Sequence, residues 1–120
     1  MGDRRYFVYI MTSNSLSTMY IGVTNDLGRR VFEHRTGMGS EFASKYRVSR
    51  LVYVEEYENP TDAITREKQL KGWKRIRKNE LVRAANPSWH DLMPEESHAP
   101  LQSSGADSVI LSKALAKQAP

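Results

Sequence analysis

The chain of 120 residues contains no cysteine. Disulfide bonds, thiolate zinc sites and cysteine nucleophiles are therefore excluded, and the composition fits a reducing compartment. The sequence also lacks any apolar run approaching the roughly 20 residues that a membrane-spanning helix needs. The charged start MGDRR leads into a short strand-like stretch with no small-residue cleavage site. We expect a cytoplasmic protein with no membrane segment.

Length and composition predict one domain with a modest core, since 39% of the residues are hydrophobic. From about Pro94 the sequence changes to PEESHAPLQSSGADS, which lacks aromatic and periodic apolar residues and is typical of a flexible linker. We expect a folded domain over residues 1–92 and a flexible tail over residues 93–120. Within the tail, VILSKALAKQ could form a short amphipathic helix, and a frayed end is the simpler expectation.

Charge is distributed unevenly along the chain. The net charge is +4, but residues 1–90 carry 16 Lys and Arg against 10 Asp and Glu, whereas residues 91–120 carry 2 against 4. Between Arg66 and Arg83 there are eight basic and two acidic residues. Such a density suits a polyanion, and a solvated helix face is the alternative. The predicted contacts with nucleic acid are Lys68, Lys71, Lys74, Arg75, Arg77 and Lys78.

The pattern of apolar and turn residues predicts the element order β-β-α-β-α-α, a small sheet that carries helices. RYFVYIM alternates between two faces, TSNSLS is turn chemistry and TMYIGV resumes strand character, which together predict an antiparallel hairpin over residues 5–23. RLVYVEEYE predicts a third strand, and KNELVRAAN predicts a short last helix that ends at its Asn-Pro pair.

The first helix places polar side chains beside its apolar residues. It is predicted over about residues 27–35, with Asn25 or Asp26 as its cap. Arg30 and His34 lie one turn apart and therefore project to the same side. A buried histidine that bonds a backbone carbonyl is the ordinary outcome, so this placement alone is weak support for a functional site.

The second helix, predicted over residues 59–76, carries a carboxylate on its apolar stripe. Asn59 or Thr61 is its N-cap. Glu67 falls within the stripe, where a carboxylate is costly unless it meets a cation, hydrogen-bond donors or a metal. A structural salt bridge, for example with Arg30, is the alternative to a metal. The apolar stripe consists of Ala63, Ile64, Leu70 and Trp73.

Tyr9 and Tyr20 lie on the two hairpin strands, where a tyrosine most often packs in the core with its hydroxyl reaching water. Together with Arg30, His34 and Glu67 they have a chemical logic. Hydrolysis of a phosphodiester needs a nucleophile made from water, stabilisation of charge on the phosphoryl oxygens and help for the leaving oxygen. A free tyrosine has a pKa of about 10, so it can act as a base only where nearby cations favour the phenolate.

This set of residues resembles the GIY-YIG nuclease superfamily, and in particular its small stand-alone bacterial members. FVY at residues 7–9 corresponds to the first family motif and YIG at residues 20–22 to the second. The family's catalytic arginine, and the histidine one turn later, match Arg30 and His34 in DLGRRVFEH. Its metal-binding glutamate matches Glu67 in AITREKQLKGW.

The resemblance covers about residues 5–92 and implies an α+β fold, with a three-stranded antiparallel sheet flanked by helices. It also implies an endonuclease that cuts DNA, in work such as DNA repair, with one divalent ion, Mg²⁺ or Mn²⁺. The implied roles are general base for Tyr9, support of the water or phosphate for Tyr20, stabilisation of phosphoryl charge for Arg30, orientation or proton relay for His34, and metal binding for Glu67.

Two positions depart from the family pattern. Phe7 stands where the first motif is named for glycine, which is tolerable because the chemistry requires the tyrosine. Some family nucleases also use an asparagine beyond the glutamate, and Asn79 is the nearest match. Arg29 could be confused with Arg30, but the spacing from the second motif and the pairing with His34 favour Arg30.

DNA is the expected partner. A core of about 90 residues offers little recognition surface of its own, so we expect selection of nucleic-acid shape rather than sequence, or dependence on a protein partner. The first alternative is a nucleic-acid-binding module that keeps this fold but cleaves little, and the second is a protein-interaction domain. A metal-binding glutamate argues against a module that only binds. The sequence leaves the oligomeric state open.

Overall fold

The structure, a computed structural model, describes residues 4–38 and 47–94. The element order is β-β-α-β-α-α, as predicted. None of the described helices is long and apolar enough to cross a membrane. The predicted tail helix and most of the predicted tail lie outside the described residues. The elements are β1 (Tyr6–Thr12), β2 (Met19–Thr24), α1 (Leu27–Thr36), β3 (Arg50–Tyr57), α2 (Pro60–Lys71) and α3 (Arg75–Ala85).

The three strands form one antiparallel sheet in the order β2-β1-β3, so β1 is the central strand. The pairing of β1 with β3 shifts between Ile10 and Met11. Because of this irregularity, Val52 and Tyr53 both pack on the face that carries α2 and α3, although they are consecutive residues. The predicted α+β class with a small antiparallel sheet is confirmed.

Helices cover both faces of the sheet. On the α1 face, Leu27 and Val31 pack against Tyr9 and Met11 of the central strand. The opposite α2–α3 face buries a second cluster, which includes Val8, Ile10, Val52, Ala63, Leu70 and Val82. Both faces of RYFVYIM carry apolar and aromatic residues, as a central strand between two helical layers requires.

Capping residues fix the ends of α1 where the sequence places them. The Asp26 side chain accepts a hydrogen bond from the Arg29 backbone N–H, so Asp26 rather than Asn25 is the cap. Gly37 follows the helix with φ 78°, the left-handed conformation that glycine adopts without strain. These caps determine where α1 begins and ends, and therefore the direction in which Arg30 and His34 project.

The predicted helix over residues 59–76 is wrong in its extent, because it consists of two parts. α2 ends at Lys71, and α3 begins only at Arg75. Gly72 follows the end of α2, and its N–H donates to the carbonyls of Lys68 and Gln69. The intervening Trp73 packs against the α2–α3 cluster, with the Arg77 guanidinium 3.8 Å from its ring centroid. The sequence places Trp73 within one continuous helix, but packing of its ring against the cluster favours an interruption between α2 and α3.

Ile64 does not join the core as predicted, since it is 43% exposed. The buried residues of α2 are Ala63, Glu67 and Leu70, which recur every three or four positions. Ile64 lies beside this stripe, on the flank next to Glu67. The apolar face of α2 is therefore narrower than the sequence suggests, and it includes a carboxylate.

The chain beyond α3 is tied back onto β3 and α1. The Arg35 guanidinium donates to the Asp91 carboxylate at 2.9 Å and to the Met93 carbonyl at 2.6 Å. Asp91 also accepts a hydrogen bond from the backbone N–H of Leu51, and Leu92 packs into the α1-face cluster. These contacts attach the segment up to residue 92 to the folded domain. The boundary between domain and tail at residues 92 and 93 stays a prediction.

Candidate active site

Gly22 allows two tyrosine rings to cross the hairpin closely. Tyr9 pairs with Gly22 in the register of β1 and β2. A Cβ atom at Gly22 would lie 2.5 Å from Tyr9 Oη, 2.6 Å from Tyr9 Cζ and 2.9 Å from Tyr20 Cε1. These separations are shorter than packed side chains permit. The glycine of the YIG tripeptide is therefore required by the position of the tyrosines.

Tyr9, Tyr20 and His34 form a three-ring cluster on the α1 face. The ring centroids of Tyr20 and His34 are 4.5 Å apart at an interplanar angle of 62°, an edge-to-face contact, and those of Tyr9 and Tyr20 are 6.1 Å apart. Tyr9 Oη lies 2.9 Å from His34 Nε2. Tyr9 and His34 are buried, whereas Tyr20 is half-buried. Tyr20 is thus the ring of this cluster that a ligand can reach from solvent.

Arg30 joins the cluster from α1. Its guanidinium lies close enough to Tyr9 and Tyr20 for its charge to act on both rings. Arg30 Nη1 also donates to Glu33 Oε1 at 2.7 Å, and Arg29 Nη1 donates to the other oxygen of the same carboxylate at 3.1 Å. The Arg30 side chain is 20% exposed and the Arg29 side chain 56%. The structure therefore places Arg30, rather than Arg29, against the tyrosines.

The pKa values of Tyr9 and His34 depart from their ordinary values. Burial, and then the neighbouring Tyr20, raises the pKa of Tyr9, and Arg30 offsets only part of this rise. Burial, and then repulsion by Arg30, lowers the pKa of His34 to about 4. At neutral pH the pair is a phenol and a neutral imidazole, which share one hydrogen bond. Arg30 favours the phenolate that a general base requires, but it does not outweigh the effect of burial.

Glu67 lies on α2, which packs against the other face of the sheet. It is buried between Ala63 and Leu70 on the same helical face. Its carboxylate oxygen Oε2 lies 2.6 Å from Lys71 Nζ, an ion pair across one helical turn. The salt bridge that the sequence suggests for Glu67 thus has Lys71 as its cation, while Arg30 pairs with Glu33.

The rotation of α2 points Glu67 toward the edge strand β2. Arg66 donates to both oxygens of Glu55 on β3, at 2.9 and 3.2 Å from Nε. Successive helical residues are about 100° apart, so Arg66 and Glu67 lie on opposite flanks of the face that Ala63 and Leu70 bury. Since β2 and β3 lie on opposite sides of β1, Glu67 faces away from β3, toward the strand that carries Tyr20 and Gly22.

A single buried carboxylate fits one kind of metal ion. Within residues 4–38 and 47–94, no three His, Asp or Glu side chains are grouped closely enough to cage a metal. Mg²⁺ characteristically binds through one or two carboxylates, keeps several waters and completes its shell with substrate phosphates. Glu67 suits such an ion, and a cation already lies against it in the form of the Lys71 ammonium.

Comparison with known families matches residues 5–80 to the GIY-YIG catalytic domain. The chain belongs to the GIY-YIG family. This nuclease-type family is the one that five positions in the predicted order resemble, so the resemblance is confirmed. The matched range includes all five residues predicted to be catalytic: Tyr9, Tyr20, Arg30, His34 and Glu67.

Several small GIY-YIG relatives are similar over nearly their whole length. A UPF0213 protein of Staphylococcus epidermidis is 32% identical over 78 residues, which are 65% of this chain and 94% of the relative. A UPF0213 protein of Staphylococcus aureus is 33% identical over the same shares. The solution NMR structure of a UPF0213 protein from Bacillus halodurans is 25% identical and covers 72% of this chain and 92% of that chain, with a TM-score of 0.48. These names state no activity.

The predicted nucleic-acid contacts of this GIY-YIG chain divide into two groups. Arg75 donates to the carbonyls of Leu16 and Ser17 at 2.6 and 3.0 Å, which ties α3 to the hairpin loop. Arg77 stacks on Trp73, and Lys71 pairs with Glu67. Within the described part of the chain, the side chains of Lys68, Lys74 and Lys78 make no hydrogen bond or ion pair. Lys71, Arg75 and Arg77 therefore have structural partners, and the other three have none among the described residues.

Two further residues complete the description of the GIY-YIG site. Asn79, the nearest match to the asparagine of some family nucleases, lies on α3 and accepts a hydrogen bond from Arg75. Glu33 pairs with both Arg29 and Arg30, and it is a site residue that the family motifs do not indicate. The spacing of three between Arg30 and Glu33 on one helix is the signal that could have indicated it.

Proposed function

We propose that this protein is an endonuclease that hydrolyses DNA phosphodiester bonds with one divalent ion, Mg²⁺ or Mn²⁺. The observation that carries the proposal is the packing of Tyr9, Tyr20, Arg30 and His34 into one partly buried cluster. Apolar side chains of similar size would fill this space at lower cost, because buried polar groups lose hydration. Such a cluster is expected where the groups serve chemistry.

The roles follow from the state of each group. Arg30 carries the positive charge that stabilises the phosphoryl oxygens as negative charge develops on them. Tyr20, the half-buried ring, supports the attacking water or the phosphate. Tyr9 is the proposed general base, and His34 Nε2, 2.9 Å away, orients the Tyr9 oxygen through their hydrogen bond, while the proton that Tyr9 must first lose passes to water.

Glu67 is the residue that would hold the metal. When bound there, a divalent ion supplies positive charge that stabilises phosphoryl oxygens and favours the phenolate of a nearby tyrosine. This extra charge matters here, because Arg30 offsets only part of the rise in the pKa of Tyr9. Since Glu67 faces β2 from one side of the sheet and Tyr20 extends from β2 on the other, we propose that the reaction centre lies at this edge.

The basic surface is proposed to hold the nucleic-acid backbone. Lys68, Lys74 and Lys78 make phosphate contacts, while Arg75 and Arg77 act indirectly by fixing the start of α3. Such contacts carry no sequence information, so the proposed selection is for DNA shape or depends on a protein partner. Replacing Lys68 and Lys74 together by Met should make the dependence of log DNA affinity on log salt concentration shallower, by the amount expected for the loss of about two phosphate contacts. An unchanged slope, measured by fluorescence anisotropy, would remove this surface from the proposal.

Nicking of supercoiled DNA with Mg²⁺ or Mn²⁺ tests the activity directly. The wild type should convert supercoiled plasmid to the nicked form, and branched substrates should be cut faster than linear duplex. Glu67→Gln keeps the shape of the side chain but removes its charge, and should lose about 100-fold or more in rate. Asp62→Asn makes the same change at an exposed carboxylate on the same helix, so it is the matched control and should keep most of the activity.

The alternative function predicts a different outcome of the same assay. If the wild type binds DNA but nicks none of the substrates with either metal, the protein is a nucleic-acid-binding module and the nuclease proposal fails. If Glu67→Gln nicks as fast as the wild type, the metal assignment fails. Absence of both nicking and DNA binding would favour the protein-interaction domain.

A further inference from the structure

The carboxylate proposed for the metal is already paired with a cation of the protein. Lys71 Nζ lies 2.6 Å from Glu67 Oε2. The Glu67 side chain is 11% exposed, whereas that of Lys71 is 54% exposed. The carboxylate therefore lies within the packed helical face, and the ammonium that reaches it belongs to a side chain that is mostly in solvent.

One carboxylate cannot serve this ammonium and a divalent ion equally. Two cations at the same oxygen repel each other, and the repulsion is strongest where burial limits screening by water. The lysine is free to leave, because its charge sits on a flexible stem of four methylene groups and about half of the side chain is exposed. Metal binding at Glu67 and release of Lys71 are thus expected to be linked.

A released Lys71 ammonium would lie beside another basic residue on the same flank of α2. Positions 64, 68 and 71 share one flank of α2, adjacent to Glu67. Lys68 on this flank is exposed and is one of the proposed phosphate contacts, and Ile64 between them is 43% exposed. A freed Lys71 therefore joins a basic edge that borders the carboxylate.

We propose that Lys71 is a placeholder cation: it neutralises Glu67 in the metal-free protein and moves to a backbone phosphate when a divalent ion takes the carboxylate. This inference rests on the proposed function, since it concerns the same metal site. It makes metal binding and DNA binding mutually reinforcing, because each releases a group that the other uses. It also keeps a buried carboxylate paired when no metal is present.

Metal affinity without DNA provides the first test. Mn²⁺ binding is measured by electron paramagnetic resonance on the wild type, Lys71→Met and Lys68→Met, with Glu67→Gln as the blank. Lys71→Met should bind Mn²⁺ about tenfold more tightly than the wild type, because the competing cation is gone. Lys68→Met removes the same charge from the same flank without touching Glu67, and should change the Kd by less than about twofold. Thermal melting verifies that both variants fold.

Equal affinities of Lys71→Met and Lys68→Met would overturn the inference, as would weaker binding by Lys71→Met. It would also be overturned if no variant showed Mn²⁺ binding that depends on Glu67. The nicking assay is independent of these results: a protein that nicks DNA and binds Mn²⁺ equally in both lysine variants keeps its proposed function and loses only the placeholder role.

Release of the lysine can be observed directly in the wild type. Brief acetylation followed by mass spectrometry measures the reactivity of Lys71 and Lys68 in the same sample. Addition of Mn²⁺ should raise labelling of Lys71 several-fold and leave Lys68 unchanged, and Glu67→Gln should label Lys71 rapidly with or without Mn²⁺. Labelling of Lys71 that does not respond to Mn²⁺ in the wild type would contradict the exchange.

Discussion

The two faces of the sheet bury polar groups in different ways. On the α2–α3 face, Glu55 accepts hydrogen bonds from Arg66 and from the hydroxyls of Tyr53 and Tyr57, so that both carboxylate oxygens are paired. On the α1 face, His34 bonds Tyr9 through Nε2, but its buried Nδ1 has no partner among the described residues. The Glu55 cluster satisfies its members, whereas His34 keeps an unpaired ring nitrogen, as do Thr12 Oγ1 and Arg50 Nε elsewhere in the sheet. A buried polar atom without a partner calls for an explanation, and a catalytic role is one.

The comparison of Glu55 with Glu67 shows why burial of a carboxylate alone does not identify the candidate metal ligand. Glu55 and Glu67 are both poorly exposed carboxylates, and both are paired with a cation. Glu55 is held by a guanidinium fork and two phenols, an arrangement with no place for a metal. Glu67 is held by one flexible ammonium, which a metal ion can replace.

The largest expected effect comes from breaking the α1-face cluster at its arginine. Arg30→Ala should lower the rate of plasmid nicking by about 100- to 1,000-fold, because it removes the charge that stabilises the phosphoryl oxygens. Arg29→Ala is the matched control, since Arg29 is adjacent, exposed and shares Glu33 as its partner. If both variants lose activity equally, the cluster does not distinguish these two arginines and the site assignment is wrong.

A smaller effect is expected from crowding the tyrosines. Gly22→Ala should lower the free energy of unfolding by about 3 kcal/mol, because the new methyl group overlaps Tyr9 and forces the strands or the ring to move. At Gly28 on α1 a Cβ meets nothing within 4 Å. Gly28→Ala should therefore stabilise the helix by about 0.5 kcal/mol. Denaturant unfolding measures both changes, and equal stability of the two variants would mean that the close approach at Gly22 is not maintained in solution.

The protonation of His34 should make stability depend on pH. Its pKa is lowered to about 4 in the folded protein, so the unfolded chain binds the proton more readily as pH falls below the ordinary value near 6.5. Stability is therefore full near neutral pH and should fall by about 2 kcal/mol between pH 7 and pH 5. In His34→Gln this dependence should be nearly flat over the same window. A wild type as stable at pH 5 as at pH 7 would contradict a buried neutral imidazole.

The smallest effect concerns the structural polar groups of the α2–α3 face. The Asn86 amide donates to the carbonyls of Val52 and His90 and accepts from the His90 N–H. Asn86→Ala should destabilise the protein by about 1–2 kcal/mol, since it leaves these buried groups unpaired. Asn79→Ala, at a less buried position on the same helix, should cost less than about 0.5 kcal/mol. Thermal unfolding of the two variants provides the comparison, and similar losses would show that Asn86 does not anchor the end of α3.

Local patterns predict most of the fold. The alternation in β1 indicates a strand, and the spacing of Arg30 and His34 on α1 indicates that both project to one side. The break between α2 and α3 was missed because it depends on where Trp73 packs, which is a tertiary contact. Helical periodicity alone continues through that position.

The candidate site is predicted less completely than the fold, for a related reason. The register of β1 and β2 brings the tyrosines so close to Gly22 that no side chain fits there. The hydrogen bonds between Arg66 and Glu55 set the rotation of α2, which turns Glu67 toward β2. Likewise, the sequence offers several cations for Glu67, and only the packed helix selects Lys71. Residue types and spacing indicate which chemistry is present, but the relative placement of the two faces arises from tertiary packing.

The central claim is that the α1-face cluster and Glu67 serve one metal centre at the β2 edge. NMR line broadening by Mn²⁺ tests it most directly, because the paramagnetic ion broadens signals according to their distance from it. With substoichiometric Mn²⁺, signals of Tyr20, Gly22 and His34 should broaden together with those around Glu67, and Glu67→Gln should abolish both effects. Broadening that stays on α2 and spares the tyrosine–histidine cluster would contradict a shared centre.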